Sequence, residues 1–243
     1  MEINPNIKYD RLPHFVREHL MFTSTNNVRG SVAVLVLFLY DSPLLLSFLI
    51  LMKIEFLWLF MPFIAFLHIW LVRMLIKSPY TTQFEMVLFL GVSGLIGALT
   101  FFIMLQAVPY FSLGINSKLY YLISNVIVFI VAYTIARYQI AKYRNIKKYN
   151  ANQEKKKPSK YLGVIGATSG LGYIIGMLVS KTTIAIYYFV IGVNLCLTLL
   201  LFYVGVKFVH RYIFMKTNIN YVRFAKPTKT ERKELIKKGV EYK

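Results

Sequence analysis

Cysteine and acid are the scarce residues of this sequence, and each shortage removes a class of function. Cys196 is the one thiol in 243 residues, so no disulfide forms within the chain and thiol redox chemistry is not expected. Ten Asp and Glu stand against 29 Lys and Arg, a net charge of +19. An excess of that size can mean nucleic acid, but here the bases are confined to short stretches beside apolar runs, where anionic lipid is the nearer partner. No nucleic-acid partner is expected. The sequence also lacks a paired His and Glu metal motif, a phosphate loop, and a nucleophile with a matching base. Its four histidines, His14, His19, His68 and His210, scatter over different depths of the frame described next. No metal, cofactor or catalytic residue is therefore expected, and the chain reads as no enzyme.

Long apolar runs are abundant. A helix needs about 20 mostly apolar residues to cross ~30 Å of hydrocarbon, and six runs meet that length: 31–52, 54–76, 84–105, 119–140, 162–180 and 184–206. Of the 29 Lys and Arg, 26 lie in alternate segments between and around these runs, and the other segments hold only Lys53, Lys118 and Lys181. Cytoplasmic loops carry the excess of Lys and Arg. The expected fold is therefore all-α, a polytopic membrane protein with six transmembrane helices and both termini in the cytoplasm. Trp58 and Trp70 toward opposite ends of the second run, and Tyr120, Tyr121 and Tyr138 likewise in the fourth, fit aromatic belts.

The same frame divides the chain. Residues 1–30 are a polar cytoplasmic segment with no cleavable signal peptide visible. Leu12, Phe15, Val16, His19 and Leu20 recur there at helical spacing, which suits a short helix on the inner membrane surface or, equally, an unordered leader. Residues 31–140 form a four-helix membrane part, 141–161 a basic linker, 162–206 a two-helix hairpin and 207–243 a basic tail. In the linker, Lys147, Lys148, Lys155, Lys156 and Lys157 are candidate anionic-lipid contacts, although topology alone already requires their charge. In the tail, Thr228 and Glu231 form a capping-box pattern and Gly239 a stop, which predicts a helix over 229–238.

Polar residues inside the spans are the candidate functional groups, because a charge at the bilayer centre costs at least ~2.5 kcal/mol. Asp41 lies about ten residues into the first run, near the midplane. Tyr40-Asp41-Ser42-Pro43 is also a helix-start pattern, so the first span reads either as two half-helices around an ion or proton site or as one helix kinked by Pro43. A re-entrant hairpin over 31–52 would reverse the charge parity of everything after it. His68, at similar depth in the second run, is the candidate partner of Asp41 in a proton relay. Glu85, Gln83, Asn125 and Asn194 read as interhelical hydrogen-bond formers.

Gly91, Gly94 and Gly97 share a face of the third run, and in the fifth Gly166 and Gly170, then Gly172 and Gly176, are four apart. Small residues so spaced serve close helix packing, within the bundle or in a homo-oligomer. The stretch from Gly166 to Gly172 resembles the glycine turn of short-chain dehydrogenases over seven residues. The 71 residues that follow include a further membrane span and leave no room for the alternating strands and helices of that fold.

In size, in its six runs, in the Lys, Asn and Tyr of its loops and in its polar opening over residues 1–14, the chain resembles the small polytopic proteins encoded beside type VII secretion systems of Gram-positive bacteria. That resemblance implies a plasma-membrane accessory or immunity protein that binds another membrane component. A small transporter using Asp41 is the other expectation.

Overall fold

Apolar runs of this length satisfy their backbone without water by forming helices, and the computed structural model is helical over the described residues of five of the six runs. It describes residues 3, 7–22, 30, 32–51, 54–144, 183–227 and 232–233. The helices are α1 (His14–Leu20), α2 (Ser42–Leu51, continuing a π-helical segment, Leu35–Asp41), α3 (Ile54–Ile76), α4 (Gln83–Leu113), α5 (Lys118–Arg144) and α6 (Thr183–Thr217). The one β-type contact among the described residues is an isolated parallel bridge between Met21 and Arg223. Five segments are long and apolar enough to cross a membrane: Val32–Leu49, Trp58–Ile76, Gln83–Leu113, Lys118–Arg144 and Ala185–Thr217. The sixth expected run, 162–180, with Gly166, Gly170, Gly172 and Gly176, lies outside the described residues. So do Lys147, Lys148, Lys155, Lys156 and Lys157, and all of the expected tail helix except 232–233.

The centre of the bundle is an antiparallel pair, α4 against α6. Gly91 faces Val209, Gly94 faces Gly205 and Gly97 faces Leu201, so one number falls as the other rises. A Cβ placed on Gly94 would come within 2.6 Å of the Gly205 nitrogen and 2.8 Å of its Cα, so only glycine permits this approach of two backbones. Tyr40, Leu44, Phe60, Leu67, Phe89, Phe101, Met104 and Leu201 complete the buried core around that seam. At the far end of α4, Gly114 takes φ 65° and its amide closes the helix on the Pro109 carbonyl, the left-handed stop that glycine favours.

Three helices overrun their expected bounds. At 1.5 Å per residue, the 31 residues of α4 and 35 of α6 reach roughly 46 and 52 Å, against ~30 Å of hydrocarbon. Residues 207–217, expected in the tail, and 141–144, expected in the linker, are helical continuations that leave the apolar zone. Their extra turns are held by a cap of protein. The N-terminal segment and residues 218–227 fold over the ends of α4, α5 and α6, burying Leu12, Val16, Leu20, Val87, Phe214 and Met215 in a second cluster. Of the two readings of the N-terminal segment, a short helix or an unordered leader, the helix forms, as His14–Leu20. Val16 and Leu20 are completely buried, so its apolar face packs against the bundle.

Candidate functional site

Asp41 and His68, singled out by depth alone, are in contact: Asp41 Oδ2 lies 3.0 Å from His68 Nε2. The level is the middle of the bundle. Neighbouring Tyr40 bonds through its hydroxyl to Thr100 Oγ1 at 3.3 Å, and Thr100 lies just past the centre of α4. His68 Nδ1 is 2.8 Å from the Ile64 carbonyl one turn earlier. A carbonyl only accepts, so Nδ1 carries a proton. Nε2 then either accepts from a protonated Asp41 or, as imidazolium, donates to its carboxylate. Both arrangements hold the same number of protons and neither has net charge, which suits a pair inside an apolar zone. The two side chains keep 29% (Asp41) and 36% (His68) of their surface exposed.

Of the two readings of the first span, two half-helices or one helix strained at Pro43, the described residues show the continuous helix. Residues Leu35–Asp41 form a π-helical segment that passes directly into α2, and Ser42 keeps helical angles, φ −63° and ψ −47°. Pro43 explains this, because its nitrogen has no hydrogen to donate and its ring crowds the carbonyl four residues back. Widening the preceding turn relieves that clash without ending the helix. The Ser42 hydroxyl donates to the Leu37 carbonyl at 3.0 Å, a further bond across the widened turn.

The other polar residues of the apolar helices and their ends bond mainly between elements. Ser47 Oγ donates to Asn194 Oδ1 at 3.3 Å, joining α2 to α6. Glu85 accepts from Trp70 Nε1 at 2.9 Å and pairs with Arg73 at 3.3 Å, joining α4 to α3. Gln83 holds the backbone of Ala225 from both sides, donating to its carbonyl at 3.0 Å and accepting from its amide at 2.9 Å. Asn125 Oδ1 has no partner among the described residues.

A second polar cluster went unseen in the sequence. His19, expected at a different depth from His210, sits between it and Tyr143. Tyr143 Oη is 3.1 Å from His19 Nδ1, and His19 Nε2 is 3.4 Å from His210 Nδ1. Burial, with Arg211, His210, Lys207 and Lys142 close by, pushes the His19 imidazole from 6.5 down to about 3. A neutral ring donates from one nitrogen and accepts at the other, so the chain from Tyr143 through His19 to His210 runs in one direction. Beside it, Arg211 donates to the carbonyls of Glu18 at 3.3 Å, His19 at 3.0 Å and Met21. Those are the acceptors that the end of α1 leaves open. The available signal was topological, since both histidines fall beside basic ends of spans assigned to the same side.

Among the described residues no group of three or more His, Cys, Asp or Glu could hold a metal ion. Comparison with protein-family models, with curated proteins and with solved structures finds no match.

Proposed function

We propose that this chain is a six-span protein of the cytoplasmic membrane, with both termini inside, that acts without catalysis as an accessory, assembly or immunity-type subunit through helix and lipid contacts. The observation that carries this reading is the use made of the mid-bundle polar groups. Tyr40 with Thr100, Ser47 with Asn194 and Asp41 with His68 each tie one helix to another, as residues serving packing do. The sixth span is supported by the ends of its neighbours. Tyr143, at the end of α5, touches His19 and His210 at the capped end, whereas Thr183 begins α6 at the opposite end. The intervening 38 residues must connect the two ends, and a crossing over 162–180 would do so. The basic residues of 1–30, 141–161 and 207–243 would then share the cytoplasmic side. An adjacent membrane component or a second copy would be the partner, as the resemblance to proteins encoded beside type VII secretion systems implies.

The alternative is a proton or ion pathway through Asp41 and His68, favoured by the pair's partial exposure and by its two neutral proton arrangements. Water access separates the two readings. In a Cys196→Ser background, an Asp41→Cys thiol is treated with membrane-impermeant maleimide from each side. Protection from both sides in a correctly inserted protein is the expected result. Labelling from either side would sink the packing reading and direct work to flux measurements on Asp41→Asn.

A further inference from the structure

We propose that the rim of the capped end contains a phosphate-binding site, suited to the headgroup of an anionic lipid, built by Arg223, Lys226 and Arg232. These three cations line a cavity of about 710 Å³ whose other walls include Tyr80, Gln83 and Pro227, and no carboxylate lines it among the described residues. The site is separate from the linker lysines considered above and from the Asp41 pair.

Its walls are ordered by contacts that do not depend on a ligand. Gln83, the first residue of α4, clamps Ala225 through both amide atoms. Phe224 packs between Phe22 and Phe84, with ring centroids 5.3 and 5.6 Å away. The Arg223 backbone is bridged on both sides, its amide donating to the Leu20 carbonyl and its carbonyl accepting from the Phe22 amide, each at 3.2 Å. Its guanidinium carbon lies 3.6 Å from the centre of the Tyr9 ring, at the edge shared with a neighbouring cavity of about 480 Å³ that Tyr9 and Arg223 both line, and it carries a planar fork of donors suited to two phosphate oxygens. Asp10 competes weakly for that fork, at 3.7 Å and with 84% of its side chain exposed.

Depth points to the ligand class. Gln83 and Tyr80 mark where α4 leaves the apolar zone, and Trp70 and Arg73 of α3 bond to Glu85 at the same level. An indole and a guanidinium at that height are interfacial residues, so the cavity opens where lipid phosphates lie. Cations near an anionic surface attract it diffusely, and three around one cavity concentrate that attraction into a site.

Titration of dihexanoyl phosphatidylglycerol into the purified full-length protein in neutral maltoside micelles, followed by calorimetry, tests the assignment. Saturable binding is expected, weakened at least tenfold by Arg223→Gln with Lys226→Gln and tightened by Asp10→Asn, which a merely damaged fold would not do. Arg137→Gln with Arg144→Gln removes the same charge from α5, outside the cavity, and should leave binding within twofold. Inorganic phosphate at matched ionic strength identifies the source. Displacement of the lipid only at far higher phosphate concentration assigns the site to headgroups, and equal potency assigns it to soluble phosphates. Absence of saturable binding, or equal weakening by both double variants, would overturn the proposal.

Discussion

Replacing Gly94 by alanine adds one methyl group where α4 and α6 approach most closely. That carbon would lie 2.6 Å from the Gly205 nitrogen, 2.8 Å from its Cα and 2.9 Å from the Leu201 carbonyl oxygen. All three are backbone atoms of α6, so no side-chain rotation relieves the clash. Restoring ordinary contact near 3.4 Å requires the helices to separate by about 1 Å, which loosens the whole seam, since dispersion falls steeply with distance. Overpacking of this kind costs about 1–3 kcal/mol, and contact with backbone alone places Gly94→Ala toward the upper end. Gly97→Ala meets only the tip of Leu201, at 2.7 Å, which can turn aside, so its cost should stay below about 1 kcal/mol. Gly192 has nothing within 4 Å of the added carbon, so Gly192→Ala should be neutral or slightly favourable through helix propensity. Unfolding by SDS titration in mixed micelles should rank the stability losses Gly94 first, then Gly97, then Gly192. A Gly94→Ala protein as stable as Gly192→Ala would refute the close pairing of α4 and α6.

Three further outcomes follow from single contacts. Arg211→Lys should free two of the three carbonyls at the end of α1, because an ammonium lacks the planar fork, and hydrogen exchange over 14–22 should rise at least tenfold; unchanged protection would show that the guanidinium does not hold the cap. Ser47→Ala should cost about 0.6 kcal/mol, the usual worth of an interhelical hydrogen bond in a membrane, and a loss above about 2 kcal/mol would mean the contact with Asn194 is part of a larger network. Because the folded His19 value, about 3, lies below the ordinary 6.5, the unfolded cap binds the extra proton between those values. Resistance of the 14–22 segment to proteolysis should therefore rise with pH from about 3 to 6.5 and level off above. His19→Phe should flatten that rise, and a pH dependence that survives the substitution would place its origin elsewhere.

How much was legible depends on whether a feature is local in sequence. A membrane-spanning run declares itself within about 20 residues, and charge alternation around the runs needs no knowledge of contacts. The face formed by Gly91, Gly94 and Gly97 was visible for the same reason. Its counterpart was not, because Gly205 stands without a glycine three or four residues away and nothing marks it until α6 is laid against α4. Asp41 and His68 could be matched in depth because only a short hairpin separates their helices. Tyr40-Asp41-Ser42-Pro43 stays ambiguous in the sequence because one string serves both a helix start and a proline-strained continuous helix, and only tertiary support decides between them. The grouping of Tyr143, His19 and His210 depends on three chain segments meeting at one end, with partners 124 and 191 residues apart. Periodicity carries no information about such pairs. The continuations of α5 and α6 are hard to read because 141–144 and 207–217 carry basic residues and sort with the linker and tail on charge, although a helix stabilised by a protein cap tolerates that composition.

Sidedness is the claim on which the rest depends, and a pair of single cysteines in the Cys196→Ser background tests it most directly. Ser117 lies between α4 and α5, at the end of the bundle away from the cap, and Thr81 lies between α3 and α4 at the capped end. In intact cells, membrane-impermeant maleimide should label Ser117→Cys and leave Thr81→Cys untouched until the membrane is opened. The reverse pattern would invert the topology and place the cap outside, and labelling of both from one side would contradict a membrane-spanning α4.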